Sequence, residues 1–114
     1  MPAGAYNIAI EQGIHYDVSF TLKGSNGVAI NVTNYTFKAE VRRRPETDLI
    51  KSFTITKTNA SAGIIALEMT GANTLGLPTG KLVWDLVAKD ASNKIRRFLS
   101  GDVVVAESVS NTVF

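Results

Sequence analysis

The sequence predicts an all-β fold, a single antiparallel β-sandwich of about seven strands in an immunoglobulin-like arrangement, with a small closed barrel as second choice. Three observations point there. Apolar and polar residues alternate along most of the chain, the period of strands with one face in a core. Clusters of Gly, Asn, Asp, Ser and Pro interrupt the alternation at a spacing of roughly 8–12 residues. Helical periodicity nowhere persists beyond about two turns.

A short strand is expected over residues 6–10. The next strand carries Ile14, Tyr16, Val18, Phe20 and Leu22 on one face, with His15, Asp17, Ser19 and Thr21 between them. Gly24-Ser25-Asn26-Gly27 offers residues that tolerate positive φ, so the chain turns back through Val28 and Ile30. Tyr35, Phe37, Ala39 and Val41 form the next alternation. It stops at Arg42-Arg43-Arg44-Pro45, because proline lacks a ladder donor and biases Arg44 away from the α region. One strand over 49–58 follows, with Phe53 and Ile55 sharing a face.

Asn59-Ala60-Ser61-Ala62-Gly63 connects into a strand over 64–69 that turns Ile65, Leu67 and Met69 inward. Thr70 is placed to cap one helical turn through Ala72 to Leu75, which Gly76 and Pro78 stop. Two closing strands, 81–89 and 94–105, are joined by Asp90-Ala91-Ser92-Asn93. Leu82, Trp84, Leu86 and Ala88 share one face of the first. Gly101 interrupts the second and predicts a bulge or a change of direction before Val103 and Val105.

A chain of 114 residues suits one domain, with its core over 6–105 and a C-terminal arm over 106–114. Folding buries roughly two-thirds of the extended-chain surface at this size, enough for a core without staples. A hydrophobic fraction of 45% and a net charge of +2 exclude a disordered polyelectrolyte. There is no cysteine, so disulfides, thiolate catalysis and Cys-ligated metals are excluded. The first residues show no basic and apolar pattern of a secretory leader. Assembly inside a cell is therefore expected, and the Asn-x-Ser/Thr triplets at Asn31, Asn34 and Asn59 are read as chance.

The search for chemistry is mostly negative. The single histidine, His15, falls on the solvent side of its strand beside Asp17, where an inert imidazole is expected. A metal would need a third carboxylate, and no ligand spacing supplies one. Glu40, Glu46, Asp48, Glu68, Asp85 and Asp102 show no spacing that forces an acid–base pair together, and Asp85 reads as a solvent-facing or paired carboxylate. No phosphate-cradling glycine loop precedes a helix. No catalytic residue, cofactor or metal is therefore expected. Arg42 to Arg44 and Arg96-Arg97 would make a basic patch if their strands were neighbours. Flanking acids and the lack of an aromatic stacking platform favour inter-subunit salt bridges or a solvated surface over nucleic acid. Trp84, Tyr6, Tyr16 and Tyr35 fit core positions better than a sugar platform.

The order of several short motifs carries a resemblance. Tyr6-Asn7-Ile8-Ala9-Ile10-Glu11-Gln12-Gly13 precedes an alternating strand, then Ile30-Asn31-Val32-Thr33-Asn34-Tyr35-Thr36. Ala39-Glu40-Val41-Arg42 and Gly63-Ile64-Ile65 follow. Leu77-Pro78-Thr79-Gly80 then leads into Val83-Trp84-Asp85-Leu86, and the series ends in Arg97-Phe98-Leu99-Ser100-Gly101-Asp102-Val103-Val104-Val105. This order resembles a family of small tailed-bacteriophage virion proteins, itself similar to the N-terminal β-sandwich of phage baseplate upper proteins. It departs at Asn31-Val32-Thr33-Asn34, where the family usually has Asp-Leu-Thr-Gly, and in lacking a long C-terminal extension.

The resemblance implies a structural, non-enzymatic virion component with no catalytic residues. Its expected location is the tail, baseplate or neck, assembled in the host bacterial cytoplasm. Its partners would be copies of itself, as a homo-oligomer or ring, and other phage structural proteins, with no nucleic acid or membrane. Expected contact residues are Arg42, Arg43 and Arg44, Leu75 and Leu77 on an exposed turn, and Phe114. A capsid decoration protein is the alternative in the same class. A carbohydrate-binding module using Trp84 and the tyrosines is the alternative from another class.

Overall fold

The computed structural model describes residues 4–24, 26–44 and 49–107. Its strands are β1 (Gly4–Ala5), β2 (Ile8–Glu11), β3 (Tyr16–Thr21), β4 (Thr36–Arg42), β5 (Leu49–Ser52), β6 (Thr54–Asn59), β7 (Ile64–Met69), β8 (Gly80–Lys89) and β9 (Ile95–Ala106), with one short helix, α1 (Gly71–Leu75). The larger sheet runs β1-β9-β8-β4-β5, with β2 also paired to β9, and the smaller runs β3-β7-β6. These two sheets form an immunoglobulin-like β-sandwich in which β3, β7 and β6 stand for strands B, E and D. Strands β4, β8 and β9 stand for C, F and G, and β5 adds a C′ strand.

The alternation read from the sequence sets the core. Ile65, Leu67 and Met69 of β7 face Leu82, Trp84 and Leu86 of β8, all at most 3% exposed. At the centre, Trp84 stacks on Phe20 at 6.4 Å and 21° and meets Phe53 edge-on at 6.0 Å. Its indole N–H, which burial would otherwise orphan, donates to the Tyr6 carbonyl at 2.8 Å. Antibody domains join their B and F strands by a disulfide. Here Phe20 on β3 and Trp84 on β8 make the equivalent link between sheets with aromatic rings.

Several expectations are corrected. The short first strand is two pieces, broken at Tyr6 and Asn7, and both run parallel to β9. Gly101 explains the break without being a bulge. It pairs in register with Trp84, and a Cβ there would overlap the Tyr6 carbonyl, so its missing side chain admits the N-terminal segment. The β8–β9 irregularity instead lies at Phe98, between the pairs Leu86–Leu99 and Val87–Arg97.

The single strand expected over 49–58 changes sheets. β5 pairs with β4 and β6 with β7, because Phe53 turns into the core between them, 5% exposed. Its N–H donates to the Ala39 carbonyl at 2.9 Å. Ile14, expected inward, is 54% exposed. The chain is still turning there, with the Ile14 N–H donating to the Glu11 carbonyl at 3.2 Å. Val28, beyond the turn, is 63% exposed. Gly63, at φ 73°, ends a 3₁₀ turn over Ala60–Ala62. A Cβ there would come within 2.6 Å of the Ile30 carbonyl oxygen, so a side chain would part the loop from the sheet.

The cap on α1 matches the reading: the Thr70 hydroxyl accepts from the Asn73 N–H. The exposed turn expected at Leu75 to Leu77 does not exist as such. Leu75 is half-buried and Leu77 is 1% exposed. Gln12 Nε2 donates to the Leu77 carbonyl at 2.7 Å, and the buried Thr74 hydroxyl lies 2.9 Å from the Ile14 carbonyl oxygen. The β2–β3 turn therefore covers the helix.

Tyr6 closes the side of the sandwich where β2 and β3 diverge. Its ring meets Phe20 edge-on at 4.8 Å. Burial first, then the hydrogen-bonded neighbouring hydroxyl of Tyr6, pushes the Tyr16 hydroxyl up to about 12 from its ordinary 10.0.

Two predictions follow from this packing. Trp84→Ala should cost about 3–5 kcal/mol, read as a lowered denaturation midpoint; an unchanged midpoint would remove Trp84 from the core. Above its unfolded pKa of 10.0 the unfolded chain releases the Tyr16 proton that the folded chain keeps, so stability falls as pH rises towards 12. Tyr16→Phe should flatten that part of the decline when both proteins are denatured across the window.

Candidate functional site

One depression lies on the outer face of the larger sheet. Because Val41, Leu82, Trp84, Leu86 and Val103 point inward, strand alternation turns Glu40, Arg42, Val83, Asp85 and Asp102 outward. With Arg97, Ser100 and Gly101 these residues line a hollow of about 410 Å³. The wall at Trp84 is its backbone, since its ring faces the core.

Opposed charges organise this face. Glu40 and Asp85 are direct cross-strand partners, an unfavourable like-charge pair. Each is held by a guanidinium: Arg42 donates to Glu40 at 2.9 Å and Arg97 to Asp85 at 3.1 Å. Lys81 lies 3.5 Å from Asp102, and Arg96 lies 3.7 Å from Asp90 on the hairpin. β4 and β9 are separated by β8, so the two arginine clusters do not merge into one patch. Arg42, Arg96 and Arg97 are each matched by an acid, and Arg43 and Arg44 are exposed just beyond β4. Asp85, read from the sequence as a solvent-facing or paired acid, is paired. The sequence did not identify Arg97 as its partner, because cross-strand register is not written locally.

The other side chains expected to carry chemistry are dispersed. Trp84 is buried and offers no sugar platform, while Tyr16 and Tyr35 are half-buried against the core. His15 immediately precedes β3 of the smaller sheet and does not line the hollow. There the structure supplies the third carboxylate that spacing could not: His15 Nε2 is 3.1 Å from Glu68 and 3.7 Å from Asp17. Register causes this, since Asp17 and Glu68 are cross-strand partners. All three residues are exposed, and the imidazole lies between two carboxylates that would otherwise repel.

A second hollow of about 480 Å³ at one end of the sandwich is lined by Ile30, Tyr35, Ile95 and Phe98 with Gly24, Arg96 and Arg97. Ile95 is 73% exposed. Of the expected contact residues, Phe114 lies outside the described residues, as do Glu46, Asp48 and most of the arm.

No family model matches this sequence, and no curated protein does. Among solved structures, the chain is similar to the SrpA adhesin from Streptococcus sanguinis, with a TM-score of 0.54 and 10% identity over 92% of this chain. The match spans 57% of the adhesin chain. At that identity the likeness describes the β-sandwich fold alone.

The charge pairing on the hollow makes a measurable prediction. Arg97→Ala should cost no more than about 1 kcal/mol, because Arg97 is largely solvated. The cost should shrink in high salt and be partly relieved by adding Asp85→Asn, which removes the opposition to Glu40. Denaturation curves of the single and double variants at two salt concentrations check this; an equal cost in the Asp85→Asn background would dissolve the pair.

Proposed function

We propose that this chain is a non-enzymatic structural protein of a bacteriophage particle, a component of the tail, baseplate or neck acting through repeated protein–protein contacts. The observation that carries the proposal is the ordered motif series from Tyr6 to Val105, read together with the roles those motifs take in the fold. The first motif forms β2 and delivers the Tyr6 carbonyl to Trp84. The Val83 to Leu86 motif carries Trp84 itself, and the last motif contains Gly101, which admits the first. In this chain the three motifs meet at one junction of Tyr6, Trp84 and Gly101.

The outer face of the larger sheet suits such a role. It carries both signs of charge in matched pairs, the pattern of a surface that meets protein rather than a polyanion. Arg43 and Arg44 extend it at the end of β4.

Antibody labelling of purified phage particles tests the proposal. Label on the tail or its junction is the expected result. Label over the head would make the chain a capsid decoration protein, and absence from intact particles would overturn the virion reading. Within that reading, replacing Arg42, Arg43 and Arg44 together with serine should lower incorporation severalfold while leaving the melting transition cooperative. Normal incorporation of the triple variant would remove this cluster from the contact surface.

A further inference from the structure

We infer that the free edge of β3 is a self-association surface, on which a second copy of this chain adds its own β3 antiparallel about a two-fold axis through Ser19. The inference rests on the reading of the chain as an assembly protein and names one of its contacts.

The two sheets present several edges, and most are blunted in ways that oppose strand addition. β5 is four residues long and its pairing with β4 shifts register at Arg42. β6 shifts register beyond Thr56. Its far half is covered by the loop before β4, where Lys57 donates to the Thr33 carbonyl and Val32 to that of Ala60. The β1–β2 edge is broken at Tyr6 and Asn7. β3 differs: its six residues pair with β7 without interruption from Tyr16–Met69 to Thr21–Ile64. No described residue pairs with its other side.

The ladder phase says which groups that edge offers. The Leu22 N–H donates to the Gly63 carbonyl at 2.8 Å, so the even-numbered residues Tyr16, Val18 and Phe20 bond to β7. The N–H and C=O groups of Asp17, Ser19 and Thr21 point outward. An antiparallel copy centred on Ser19 sets Asp17 opposite the other chain's Thr21, Ser19 opposite Ser19, and Thr21 opposite Asp17. Each outward donor and acceptor of these residues then has a partner. The contact is isologous and closes as a dimer.

Side chains favour this register over a slipped one. No like charges face each other directly. Asp17, beside Glu68 on one exposed face, lies diagonal to the partner chain's Lys23 at about 7–8 Å, within reach of a long side chain. The symmetric contact repeats at the other end. Two of the exposed large hydrophobics, Tyr6 and Ile14, flank the same edge: Tyr6 packs on Phe20, and Ile14 immediately precedes His15 and the strand.

Sedimentation velocity across a concentration series tests the inference on the whole chain. The native protein should show a reversible monomer–dimer equilibrium. Ser19→Lys and Ser19→Asp each put two like charges face to face across the axis and should weaken the dimer severalfold. Position 19 is exposed, so both variants should keep the native near-ultraviolet circular dichroism. Mixed in equal amounts, the two variants should recover a heterodimer, because unlike charges then oppose. A native protein that stays monomeric at millimolar concentration overturns the inference, as do variants that dimerise undiminished or a mixture that fails to associate. Particle labelling reads the virion proposal separately, so a monomeric chain found in the tail would fail this inference alone.

Discussion

Everything in this fold leans on the junction of Trp84 with Phe20, Phe53 and the Tyr6 carbonyl. An indole inside a sandwich must find an acceptor for its N–H, and the strands beside it already use their carbonyls on one another. The break between β1 and β2 frees the Tyr6 carbonyl, and the glycine at 101 lets that backbone lie close enough. One aromatic ring thereby fixes the distance between sheets, the path of the N-terminal segment and the sheet change at Phe53. In a domain without cysteine, this junction takes the position that a covalent link holds in antibody domains.

Most of the secondary structure was legible because alternation and turn chemistry are local. The inward faces of β7 and β8, the Thr70 cap and the Asp90 to Asn93 turn follow from residues within a few positions of one another. What was missed depends on distant chain. Phe53 looked like one more inward residue, and only its contact with Trp84 shows that the strand leaves one sheet for the other. Gly101 has the same local signature whether it marks a bulge or a close approach, and Tyr6, 95 positions earlier, decides between them. Leu77 looked exposed because nothing near it announces that Gln12 reaches its carbonyl. The candidate hollow was legible only in part: Arg42, Asp85 and Arg97 were noticed, but their pairing belongs to register.

The two sheets divide the exposed surface by kind. The larger one offers matched charges that, as solvated pairs, add little stability. The smaller one offers backbone. Its outward side chains on β3 are short and polar, so an added strand would be read mainly by hydrogen-bond register. The lateral contact inferred on β3 and the partner face proposed on the larger sheet use different surfaces and would not compete for area.

The parallel pairing of β2 with β9 has a mechanical meaning. Parallel neighbours send their outer ends in opposite directions, so tension applied through the two ends of the chain loads this ladder in shear. Its hydrogen bonds must then fail together, where a hairpin pulled from one end opens bond by bond. Resistance to pulling is governed by the height of the unfolding barrier rather than by equilibrium stability. The same pairing joins strands far apart in the chain, so during synthesis the ladder cannot form until β9 has emerged. A domain built this way closes late and, once closed, is well suited to carry load along its length.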